Sequence, residues 1–161
     1  MRTINPEYVK AVQRIVNLCP YFALLSISIK ELGWGEACLE IPVQEKHLQP
    51  FGMVHGGVFA SLVDAAAFWA VYTQVPEELG MTTVELKLNY LAPLSTGRMI
   101  ATGKSIRVGK TLCLGEASIH SEEGLLLAHG TSTMMILKDL EIQGRSEWPP
   151  KYLHSSSDIG R

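Results

Sequence analysis

Asp64 is the only acidic residue between Val54 and Val75, a stretch reading VHGGVFASLVDAAAFWAVYTQV that holds neither Lys nor Arg. An unpaired carboxylate in apolar surroundings costs several kcal/mol or shifts its pKa. A chain that keeps one there either uses its chemistry or bonds it to backbone amides. His55-Gly56-Gly57 stands just upstream, at the expected start of the same helix. A helix start offers unpaired N–H groups and a partial positive charge. Glycine lets a ligand approach that backbone, so the place can hold a developing oxyanion. The same glycine pair also suits a tight strand-to-helix turn with no ligand. His55 fits three roles: a general base, a helix-start cap, or a packed core histidine.

Asp64 cannot readily serve its own helix start, because seven residues of helix separate it from Gly57 by about 10 Å. Two central helices packed antiparallel about a two-fold axis remove the difficulty: Asp64 of one subunit then meets the Gly57 end of the other. An oxyanion site plus one carboxylate suits hydrolysis of an activated acyl group. A thioester is such a group, and its thiol leaves with a pKa near ~8.5, so no strong general acid is required. Asp64 could activate water or attack directly to form an anhydride.

The elements that must position these residues follow from pattern. Asn5-Pro6-Glu7 opens a helix, Val9, Val12, Ile15, Val16 and Cys19 continue it, and Pro20 ends it. Leu25, Ile27 and Ile29, then Ala37, Leu39, Ile41 and Val43, alternate with more polar residues around Gly33-Trp34-Gly35, as in a hairpin with one dry face. A fully buried helix is expected from about Gly56 to Gln74. Strands are expected over 83–90, 98–108, 111–121 and 125–137, joined at hairpin length. The expected fold is α+β: an antiparallel sheet of about six strands wrapped around one long central helix, plus an N-terminal helix. The division expected is an N-terminal helix (1–19), a core domain (20–137) and a polar C-terminal tail (138–161), read as mobile or as a surface strap.

With 161 residues, 47% hydrophobic and 19% charged, the chain reads as one globular domain. A formal net charge of -2 speaks against a nucleic-acid partner. Residues 81–120 are nonetheless locally basic through Lys87, Arg98, Lys104, Arg107 and Lys110, which reads as a solvated face or as a patch for a phosphorylated ligand. Cys19, Cys38 and Cys113 lack paired spacing and suit reduced thiols in the cytoplasm. The histidines show no metal-ligand spacing, so no metal is expected. Polar residues within 54–75, with no flanking cations, speak against a membrane span.

Gln49-x5-His55-Gly56-Gly57-x6-Asp64, the later Thr83-Val84-Glu85-Leu86-Lys87-Leu88-Asn89-Tyr90-Leu91-Ala92-Pro93 and the hairpin Gly109-Lys110-Thr111 resemble the hotdog-fold acyl-CoA thioesterases, in their phenylacetate-pathway (PaaI-like) branch. The resemblance covers roughly residues 20–137. It implies that Gly57 gives its N–H to the thioester oxygen and that Asp64 of the neighbouring subunit is base or nucleophile. It implies that Thr83 helps hold the water, and that Gln49, where many relatives carry Asn, lies near the thioester carbonyl. His55 would mainly shape the turn. Arg107 and Lys110 become candidates for the phosphates of coenzyme A, which is part of the substrate, so no separate cofactor is implied. The implied assembly is a homodimer or homotetramer. Two other readings stay open on the same fold: a non-catalytic acyl-CoA binder or sensor, and a dehydratase.

Overall fold

The computed structural model describes residues 3–153; the expected tail beyond them, including Ser155-Ser156-Ser157, lies outside the described residues. Helix α1 (Pro6–Val16) begins where Asn5 accepts the Glu7 N–H at 3.0 Å, and it buries Tyr8, Ala11, Val12 and Val16. Pro20 does more than end the preceding helix. It opens a second, α2 (Pro20–Leu25), because the N–H that proline lacks has no helical partner at that position. Ser26 at φ 57° ends α2. The strand expected from Leu25 therefore starts later, as β1 (Ser28–Gly33), and turns through Gly35 into β2 (Glu36–Pro42).

The central helix α3 (Gly56–Tyr72) follows, then β3 (Gly80–Tyr90), β4 (Arg98–Val108), β5 (Leu112–Ser121) and β6 (Leu126–Leu137). All neighbours pair antiparallel in the order β1-β2-β4-β5-β6-β3. The sheet curls around α3 through close backbone approach. A Cβ on Gly103 of β4 would stand 2.1 Å from the Ala66 carbonyl oxygen, and one on Gly115 of β5 2.9 Å from that of Ala67. The alanine face of the helix thus rests directly on glycines of the sheet, burying Ala66, Ala67 and Ala70 completely.

The helix is not buried all round, as its composition had suggested. Ser61, Asp64, Ala65 and Phe68 form a half-buried stripe along a cavity that α2 and β3 cover only in part. The two sheet edges also differ. Along β1, Asn17 Oδ1 accepts the Ile29 N–H at 2.8 Å and Gln13 Nε2 donates to the Lys30 carbonyl at 2.7 Å, so side chains of the N-terminal segment satisfy that edge. The eleven-residue β3 pairs only with β6 among the described residues.

The chain after β6 returns across the far end of α3. Lys151 is completely buried there. Its Nζ donates to the carbonyls of Tyr72 and, at 2.6 Å, of Val75, and sits 4.0 Å from the Tyr72 ring centroid. Bonds from Asn5 N–H to the Lys151 carbonyl and from Leu153 N–H to the Thr3 carbonyl tie this strap to the start of α1.

Candidate active site

Two cavities open along α3, and the expected site residues divide between them. The first, about 540 Å³, is lined by Gln49, His55, Gly56, Gly57, Phe59 and Tyr90 among others. The second, about 480 Å³, lies further along the helix and holds Asp64, with Ser61, Phe68 and Trp69 of α3, Tyr21 and Phe22 of α2, and Leu86 of β3. Within one chain the candidate oxyanion donor and the carboxylate thus line separate cavities.

In the first cavity His55 is the N-cap of α3, and its Nδ1 accepts the Gly57 N–H at 2.8 Å. The cap reading of His55 matches this geometry. The exposed His55 ring thus engages the Gly57 amide. Tyr90 Oη donates to the Gly56 carbonyl at 3.1 Å and fixes the glycine pair against β3. Gln49 sits on a tight loop in which its Oε1 accepts the Phe51 N–H and its carbonyl accepts the Gly52 N–H at 2.9 Å. The amide oxygen is thereby held by the loop, which leaves Nε2 as the donor for the cavity. Buried His47 holds the approach: Nδ1 accepts the Gln44 N–H and Nε2 donates to the Leu25 carbonyl at 2.8 Å. Burial lowers the His47 pKa from its ordinary value.

In the second cavity Asp64 is half-buried, and it is not unpaired. Its Oδ1 accepts both the Thr83 hydroxyl at 2.9 Å and the Ser132 hydroxyl at 2.8 Å. The carboxylate is therefore solvated by fixed hydroxyls, which removes much of the cost of placing it in an apolar helix. A register shift between Thr83 and Glu85 inserts Val84, and Thr83 and Leu86 consequently both face the helix. Sequence reasoning missed Ser132. The run Gly130-Thr131-Ser132-Thr133 puts hydroxyls on both faces of β6, so alternation alone could not single it out.

Arg107 and Lys110 lie exposed at the β4–β5 hairpin. Register runs from Thr83 through Met134 and Cys113 to Val108, three strand spacings or ~14 Å. One chain does not bring these cations to Asp64. Among the described residues no group of three or more His, Cys, Asp or Glu could hold a metal, and no helix is long and apolar enough to cross a membrane.

Residues 51–128 match the Thioesterase superfamily. A 1,4-dihydroxy-2-naphthoyl-CoA hydrolase of Listeria monocytogenes is 33% identical over 115 residues, which are 71% of this chain and 93% of that protein. A Saccharolobus solfataricus protein named as an esterase is 32% identical over 90 residues, 55% of this chain; the match spans 64% of that relative's length. A crystal structure of Haemophilus influenzae thioesterase HI1161 superposes with a TM-score of 0.79 at 22% identity, covering 89% of this chain and 99% of that one, which shows the shared fold. The fold is the hotdog fold, and the chain belongs to the thioesterase superfamily.

Proposed function

We propose that this protein is an acyl-CoA thioesterase of the PaaI-like branch, acting in the cytoplasm as a homodimer or homotetramer. The carrying observation is the division of the site along α3, with Gly57 and Asp64 in different cavities. Pairing of two β3 edges would extend the sheet across a two-fold axis and lay the half-buried stripes of two α3 helices side by side. Each Asp64 would then face the Gly57 amide of the other subunit.

In this reading the thioester carbonyl lies between the partner's Gly57 N–H and Asp64, with Gln49 Nε2 as a second donor. Thr83 and Ser132 occupy Oδ1 of Asp64, so Oδ2 is the oxygen that takes a proton from water or attacks the carbonyl carbon. Either route gives a tetrahedral oxyanion, which collapses to expel the coenzyme A thiolate; after direct attack, water then cleaves the Asp64 anhydride to release the acid and restore the carboxylate. Arg107 and Lys110 bind the nucleotide phosphates.

Free-thiol release from short, long and aromatic acyl-CoAs, compared between wild type and Asp64→Asn, tests the reading. Turnover that vanishes in the variant is expected. No turnover with any ester, together with retained coenzyme A binding, would make the protein a non-catalytic binder instead.

A further inference from the structure

The wall of the Asp64 cavity opposite α3 is built by α2, outside the residues 51–128 that match the superfamily. Within that wall Tyr21 Oη lies 2.7 Å from Ser61 Oγ, and Ser61 Oγ lies 2.8 Å from the Gly57 carbonyl oxygen. A carbonyl only accepts, so the single Ser61 proton goes to Gly57 and Tyr21 donates its own proton to Ser61. The phenol oxygen keeps its lone pairs, and no group among the described residues donates to them. Tyr21 is 55% exposed, so those lone pairs are within reach of a ligand. Ser61 and Asp64 are three residues apart on one helix face, which puts the phenol one side chain away from the candidate reacting carboxylate.

The rest of this cavity is apolar, through Val16, Phe22, Phe68, Trp69 and Leu86. Such a lining suits an acyl group better than the amide-rich pantetheine arm. Given the thioesterase reading, on which this rests, we infer that Tyr21 is a specificity residue: its oxygen accepts a hydrogen bond from a hydroxyl carried by the acyl group. Ser61 sets the polarity of that contact, because it takes the Tyr21 proton and leaves the phenol an acceptor only. A plain hydrocarbon acyl group would strip water from this oxygen and return nothing, and is therefore disfavoured.

The test uses matched coenzyme A esters that differ by one hydroxyl: butyryl against 3-hydroxybutyryl, and benzoyl against hydroxybenzoyl. Wild type is expected to favour one hydroxylated ester in kcat/KM by about threefold to tenfold, and Tyr21→Phe to abolish that ratio. Equal losses on both members of each pair would assign Tyr21 to the pantetheine arm or to folding and overturn the inference. An unchanged ratio in Tyr21→Phe would overturn it as well. Should wild type release no thiol at all, the hydrolase reading falls by itself. Equilibrium binding of the same pairs then decides: a preference that depends on Tyr21 upholds the inference, and its absence overturns it.

Discussion

Ser132 Oγ donates to Asp64 Oδ1 at 2.8 Å from 68 residues away in the chain. Thr83 bonds the same oxygen. Two hydroxyls on one oxygen orient the carboxylate, and the proposed function makes Oδ2 the reacting oxygen. Asp64→Asn should therefore lose about 10²-fold or more in kcat while the far-UV spectrum and unfolding midpoint stay near wild type. Ser132→Ala and Thr83→Ala should each lower kcat less, because either hydroxyl alone still holds Oδ1. Normal turnover by Asp64→Asn would remove the assigned chemistry.

Packing of α3 on the sheet makes a separate prediction. Gly103→Ala would place a Cβ against the Ala66 backbone oxygen, which cannot swing aside. A loss of about 1–3 kcal/mol is expected in urea unfolding. At Gly33, where the nearest neighbour of an added Cβ is Glu36 at 3.8 Å, the same change should cost far less.

Lys151 predicts a pH dependence. Desolvation lowers its pKa from 10.5 to about 7, with Arg145 acting in the same direction and Glu77 and Glu78 opposing. Between those values the unfolded chain holds a proton that the folded chain has released. Folding stability should therefore rise with pH from about 7 toward 10, by up to ~1.4 kcal/mol per unit. The gain is lost as pH falls to the folded value. Urea titrations at several pH values should show this slope in wild type and its disappearance in Lys151→Met. A slope that survives in the variant would assign it to other groups.

The exposed cations make a prediction about affinity. Arg107→Ala and Lys110→Ala should each raise KM for coenzyme A esters roughly twofold to fivefold, as expected for solvent-screened charge contacts. KM for short thioesters lacking the nucleotide should move less. Equal changes in both would end the phosphate assignment.

Much of this arrangement was legible before the coordinates. Strands with one dry face, such as β2, alternate plainly, and the mainly apolar run of α3, which holds Ser61 and Asp64 and lacks flanking cations, reads as a core helix. The HGG-x6-D spacing singled out residues that line two cavities along α3. Three features escaped for physical reasons. Pro20 reads equally as a stop or as a first helical position, so α2 was missed. Lys151 is a charged residue in a polar stretch, and only the three-dimensional return of the chain onto the α3 carbonyls explains its burial. Ser132 acts through a contact made by strand register, which a single sequence does not encode locally.

Complementation between two inactive chains tests the shared site most directly. Gly57→Pro removes the amide donor at a first-turn position where proline is tolerated, and Asp64→Asn removes the reactive carboxylate. Each variant alone should be nearly inactive toward an acyl-CoA that wild type hydrolyses. Unfolded and reassembled as an equal mixture, random pairing gives half heterodimers, each with one intact site built from both chains. Recovery of about a quarter of wild-type activity is then expected. A mixture as inactive as its components, with heterodimers shown to be present, would contradict an active site shared between subunits.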